Sequence, residues 1–246
     1  VDGFRFDLGV TLGRGEDGRF DPAELAWLTE DPVVGSRKLI AEPWDLGPEG
    51  YQLGRLGPRI LEWNGAFRDD VRDAWRGVGG DLSGRLAGSP DLFEDKRPID
   101  FVTAHDGFTL ADLVAYDHKH NEANGEGNAD GHNDNRSWNS GTEGPTHDPE
   151  IIERRRRRAA GLLVTLLMTD GVPMLLGGDE LGRSLGGNNN AYSLDSPESW
   201  YDWAEAPHTE LIARATELRQ QGARFGADGV EIRFNPSEAD IEVELP

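Results

Sequence analysis

The amino-acid sequence predicts an α/β fold assembled from parallel βα units. Short β-favouring runs alternate with stretches of helical periodicity along most of the 246 residues, the pattern of a strand followed by its crossover helix. Four of five strand candidates end on acid, amide or imidazole residues, and in such a sheet the loops after the strand C-termini form the functional face. Hydrophobic content is only 36%, yet seven Trp and nine Phe are too costly to leave in water, which excludes a wholly disordered chain.

In chain order, residues 3–7 (GFRFD) form the first strand candidate, with Phe4 and Phe6 as apolar bulk. Asp21 and Pro22 supply a cap and a first-turn proline for a helix over AELAWLTE. Residues 38–42 and 60–64 are the next strands. AFRDDVRDAWRG then sets Phe67, Val71 and Trp75 on one helix face, with Gly77 as a stop. Residues 99–105 form the fourth strand. The stretch from His118 to Asp148, rich in Asn, Gly, Asp and His, lacks periodicity and reads as a loop; at about thirty residues its length favours function over accident. Asp148 and Pro149 begin a longer helix whose basic run, residues 154–158, reads as a solvated face paired with nearby acids. Residues 172–177 are the last of the five strands. A helix over TELIARATELRQQ follows, and the tail VEIRFNPSEADIEVELP holds two short strands around Asn235 and Pro236.

Composition narrows the function. A formal charge of -21 repels nucleic acid and anionic membranes and points to a neutral or cationic partner. No cysteine is present, which removes disulfides, thiol nucleophiles and thiolate metal sites. The longest apolar run, GLLVTLLM, falls well short of the roughly 18 residues that span a bilayer. Lys38, Lys96 and Lys119 are the only lysines; the acidic, lysine-poor balance fits a high-salt cytoplasm and fits codon bias equally well. His118, His120 and His132 lack a ligand spacing, so no metal is expected. GGDELGRSLGG lacks the Gly-Lys-Ser/Thr ending of a phosphate loop.

Three acids, Asp7, Glu42 and Asp106, stand at or just beyond strand ends. Each alone fits a helix cap or a salt-bridge partner, but each also has a neighbour able to tune it. Arg5 lies on the same strand face as Asp7 and would hold it ionised. Pro43 and Trp44 give Glu42 an apolar surround that would keep it protonated near neutrality. His105 adjoins Asp106 and can donate to a polar ligand. An ionised carboxylate facing a protonated one is the equipment of a glycosidase, retaining if the two lie about 5 to 5.5 Å apart. Trp44, Tyr51, Trp63, Trp138 and Trp200 suit stacking on sugar rings, with core packing as the alternative for each.

GFRFD, LIAEPWD and FVTAHDGFTL resemble, in order, motifs of the α-amylase superfamily of retaining (β/α)8-barrel enzymes, glycoside hydrolase family 13. GYQLGRL, EWNGAFRDDVR, HNEANGEGNADGHNDNRSWNSGTEGPT and GVPMLLGGDELGRSLGGNNNAY are similar to its glycogen-debranching and isoamylase branch. The resemblance implies a partial TIM barrel of strands four to eight over residues 1–205, the C-terminal part of the enzyme. Residues 206–246 would then hold the last barrel helix and the start of a truncated β region. It makes Asp7 the nucleophile, Glu42 the acid/base and Asp106 the third carboxylate, with Arg5 and His105 binding substrate. The implied reaction is hydrolysis of α-1,6 branches in a cytoplasmic α-glucan such as glycogen, amylopectin or limit dextrin, without a cofactor; a non-catalytic remnant, half of a two-chain enzyme and an α-1,4-acting or transferring enzyme are the alternatives. The family's third-strand motif, with an Asp and a His, has no counterpart here. Open edges at strands four and eight would leave unpaired backbone and invite association.

Overall fold

A computed structural model describes residues 1–94, 98–204, 206–225, 231–235 and 240–244. Its elements run β1 (Gly3–Phe6), α1 (Ala26–Glu30), β2 (Lys38–Ala41), β3 (Ile60–Glu62), α2 (Gly65–Trp75), α3 (Leu82–Leu86) and β4 (Ile99–Asp100). They continue with α4 (Leu110–Leu113), α5 (Pro149–Leu167), β5 (Val172–Pro173), α6 (Thr209–Gln220), β6 (Glu231–Asn235) and β7 (Asp240–Glu244). β1, β2 and β3 form a parallel sheet in that order, in register from Gly3 opposite Lys38 and from Leu39 opposite Ile60. β4 and β5 form a second small parallel pair, Ile99 opposite Val172. A parallel bridge between Trp63 and Ile99, with the Asn64 N–H donating to the Ile99 carbonyl at 2.8 Å, joins the two pieces. The α/β class with parallel strands is therefore as expected, but the sheets are small. β6 and β7 are antiparallel, and the turn expected at Pro236 lies outside the described residues.

The strands stop early for identifiable reasons. After Phe6 the chain enters a left-handed residue, Leu8 at φ 43°, which ends the ladder. Asn64 leaves β3 to cap α2, its side chain accepting from the Phe67 N–H. Beyond Asp100 the Val102 carbonyl is taken by the Arg72 guanidinium, at 2.9 Å from Nε, instead of by a neighbouring strand. β5 ends with β4, its last bond the Met174 N–H donating to the Asp100 carbonyl at 2.8 Å. The helix expected over residues 22–30 opens as a 3₁₀ turn, Pro22–Leu25, before α1.

The main core lies where α2, α4 and α5 meet. Phe67, Val71 and Trp75, the face legible in the sequence, pack against Leu162, Leu163 and Leu166 of α5, and full burial of a Phe contributes about 1.5 to 3 kcal/mol. Trp75 rests on the backbone of Gly161: a Cβ there would stand 1.9 Å from its Cη2. A second core, Val10, Leu25, Leu28, Leu39 and Ile60, fixes the loop after β1 against β2 and β3. The outer strands are less covered, with Phe4 at 36% and Val172 at 39% exposure. Among the described residues no helix is long and apolar enough to cross a membrane.

The basic run of α5 is not a face paired mainly with acids. Arg154 donates to the Ser140 carbonyl at 2.8 Å, and Arg155 to those of Asn139 at 3.0 Å and Gly144 at 2.7 Å. Arg158 is buried, donates to the Trp75 carbonyl and lies 4.4 Å over the Trp138 ring. Arg156 pairs with Glu153 at 3.8 Å. Loop carbonyls without a ladder partner need donors, and long planar guanidinium groups supply them.

Candidate active site

β1 and β2 lie side by side, so the residues that follow them share one end of the sheet. Asp7 and Glu42 are brought together there. The Arg5 guanidinium donates to Asp7 Oδ1 at 2.8 Å and also to Glu42 Oε1. The second Glu42 oxygen accepts from the Leu8 N–H at 2.8 Å, and that bond helps hold Leu8 in its left-handed conformation. Gly9 allows the approach: a Cβ there would stand 2.7 Å from the Ala41 Cβ and 2.9 Å from the Glu42 carbonyl. The two carboxylates differ sharply in environment, with 69% of the Asp7 side chain exposed against 5% for Glu42.

Burial pushes the Glu42 carboxyl up from its ordinary value, with Asp7 adding to the rise. The Leu8 N–H, Arg5 and His105 pull the other way but do not cancel it. Arg5 also lies over Trp63, 4.4 Å from the ring centroid, which helps fix the guanidinium between the two acids. His105 joins the cluster: one ligand-type atom each of Asp7, Glu42 and His105 lie within 4.8 Å of one another. A divalent cation placed there would face the Arg5 guanidinium that already bonds both acids, so the donor set fits a metal poorly. Asp106 sits apart from this cluster, 67% exposed, with its carboxylate 3.6 Å from His105 Nε2.

A cleft of about 520 Å³ opens over Glu42, His105 and Asp106. Trp44, Tyr51 and Trp63 line it, Trp44 and Tyr51 stacked with centroids 6.4 Å apart and planes 9° from parallel. Trp138 is not part of it and lies against Arg158; Trp200, 59% exposed, donates to Asp195. His120 sits 3.3 Å from Glu143, and the His118 N–H also donates to Glu143, so those two histidines converge on a carboxylate. His132 lines the cleft with Asp134 and Arg136 of the long loop, opposite Arg68 and Asp69 of α2. Sequence reading missed this charged wall, because Arg68 and Asp69 look like an ordinary exposed helix face until Arg136 crosses to Asp69 at 3.7 Å. It also missed Arg72, buried under the wall and donating to Val102 and Asn135 carbonyls.

No protein-family model matches the chain. The glycogen operon protein GlgX homolog of Mycobacterium tuberculosis is 52% identical over 98% of this chain and 36% of its own length. The glycogen debranching enzyme of Erwinia tasmaniensis is 49% identical over 82% of this chain and 32% of its own. Among solved structures, a pullulanase from Anoxybacillus complexed with maltotetraose superimposes with a TM-score of 0.56 at 28% identity, covering 89% of this chain and 31% of that one. A pullulanase from Bacillus acidopullulyticus, at 21% identity and a TM-score of 0.60, adds likeness of fold. This chain spans about a third of the length of the curated relatives it matches. Sharing about half its residues with proteins named for glycogen debranching along most of its length, the chain belongs to the glycogen-debranching branch of the α-amylase superfamily.

Proposed function

We propose that this chain carries the catalytic carboxylates of a retaining glycoside hydrolase that cleaves α-1,6 branches of a cytoplasmic α-glucan, and that β1 to β5 are strands four to eight of a (β/α)8 barrel. Residues 1–205 are then the C-terminal part of that barrel, and 206–246 its last helix and the start of a β region. The observation that carries the reading is the Arg5 bridge between an exposed Asp7 and a buried Glu42 whose carboxyl is pushed up.

One oxygen of each carboxylate lies within 4.8 Å of the other, nearer the about 5 to 5.5 Å of retaining enzymes than the about 6.5 to 9.5 Å of inverting ones, which supports retention. Asp7, paired with Arg5, attacks the anomeric carbon while Glu42 gives its proton to the leaving oxygen. The C–O bond breaks and a glycosyl ester forms on Asp7. Glu42, now ionised, takes a proton from water as that water attacks the anomeric carbon, which releases the sugar and restores both groups. His105 and Asp106 hold sugar hydroxyls at the cleft floor, and the Trp44–Tyr51 pair offers a face to a sugar ring. The exposed strands β1 and β5 are where a further segment or second copy would associate.

Incubation with amylopectin tests the linkage. Deepening iodine colour is expected as branches leave; fading colour would mean internal α-1,4 cleavage and overturn the debranching assignment. Unchanged colour, with amylopectin bound, would make this chain a binding segment only.

A further inference from the structure

We propose that Asn189 is a positioning residue that locks the turn carrying His105 and Asp106 to the cleft wall of the long loop, so that the two sides of the substrate cleft move as one unit. The inference rests on the reading of His105 and Asp106 as sugar-contacting groups.

Asn189 is 2% exposed, and every polar group it has is hydrogen-bonded. Its carbonyl accepts from the Gly107 N–H at 3.0 Å, one residue beyond Asp106, where Gly107 turns the chain at φ +97°. Its side-chain nitrogen donates to the His132 carbonyl at 2.8 Å and to Asn135 Oδ1 at 2.7 Å, both on the wall. The rest of the residue is closed by fully buried Asn121. The Asn189 N–H donates to Asn121 Oδ1 at 2.9 Å, and Asn121 Nδ2 donates back to Asn189 Oδ1 at 2.8 Å.

Such a reciprocal amide pair fixes the orientation of both side chains, because turning either one over sets donor against donor and acceptor against acceptor. At its tip the turn meets Trp63 edge-on through His105, ring centroids 5.8 Å apart, while His105 is 51% and Asp106 67% exposed. Its two ends are anchored separately, the Thr103 hydroxyl and the Leu110 N–H both donating to buried Asp179. Asn189 therefore sets the remaining freedom, the height of the tip relative to the wall that meets the distal part of a glucan.

Native-state amide exchange in the whole chain tests this without requiring turnover. Asn189→Asp keeps the size and the acceptor for Asn121 but sets an oxygen against the His132 carbonyl and Asn135 Oδ1. Exchange within residues 103–110 should quicken about ten-fold, the loss of roughly one hydrogen bond, together with residues 132–136, while 38–42 stay unchanged. Asn135→Ala, which removes one acceptor, should move the same two segments by less and decides the matter if the first variant unfolds. Asn128→Ala, whose side-chain bonds among the described residues run to Asn121 and Lys119, should leave 103–110 unmoved. On amylopectin Asn189→Asp should lower kcat and raise KM together, since the turn and the wall shift at once. Quickening confined to 132–136, or equal quickening of 103–110 in Asn128→Ala, would overturn the proposal. Absence of turnover in the unsubstituted chain would defeat the hydrolase reading and leave the exchange result standing.

Discussion

Replacing Glu42 by Gln isolates the proton that the proposed mechanism needs. Glu42 is buried and both its oxygens accept, one from the Leu8 N–H at 2.8 Å and the other from Arg5. Gln has one acceptor and one donor in the same volume, so either Leu8 or Arg5 loses its partner, a cost of about 1 to 3 kcal/mol in stability. The chemistry suffers more. Loss of the general acid should lower turnover of branched glucan by about 10² to 10⁴. α-Maltosyl fluoride separates the two effects, because its leaving group departs without a proton. With azide present to attack the glycosyl ester in place of activated water, Glu42→Gln should consume the fluoride within about ten-fold of the unsubstituted rate and yield a glycosyl azide. In the unsubstituted protein, turnover of glucan should fall as pH rises through the raised Glu42 value, and that limb should vanish for the variant with fluoride. Equal losses on glucan and fluoride, with no azide product, would refute Glu42 as the acid/base.

Two further outcomes follow from buried groups. Asp100 is held by Asn64 and Thr169, and burial pushes its carboxyl up to about 6. A folded value above the unfolded one means stability falls as pH rises between about 4 and 7, by on the order of 2 to 3 kcal/mol. Asp100→Asn should flatten that fall, and melting temperatures at pH 5 and pH 8 would check it. Gly161→Ala drives a methyl into the Trp75 ring and should cost about 1 to 3 kcal/mol or more in urea denaturation, against a near-neutral change at an exposed helix site.

Much of the site was legible because strand ends and charge placement are local. GFRFD and LIAE alone locate the Arg5, Asp7 and Glu42 groups, since parallel pairing of adjacent strands brings their C-terminal residues together. The Arg5 bridge was only half legible: its bond to Asp7 follows from two-residue alternation, whereas its bond to Glu42 and its seat on Trp63 depend on where three strands lie. The length of β4 was not legible, because the competitor for the Val102 carbonyl is Arg72, thirty residues away in sequence and hidden in a motif that reads as an exposed helix. The basic run of α5 misled for a similar reason. Charge suggests solvent and acids, but the Asn- and Gly-rich loop folds its carbonyls onto that helix, and the arginines serve as donors to backbone.

The central claim is that Asp7 forms the covalent bond to sugar. A 5-fluoro-α-glucosyl fluoride, which glycosylates a retaining enzyme and deglycosylates slowly, should label the protein, and tryptic mapping would place the label. The fragment from Phe6 to Arg14 contains Asp7 as its only carboxylate, so a glycosyl mass increment on it identifies the nucleophile unambiguously. The label is predicted there, and it should be lost in Asp7→Asn. A label on the fragment from Leu39 to Arg55, which contains Glu42, or no label in a protein that turns over glucan, would contradict the account.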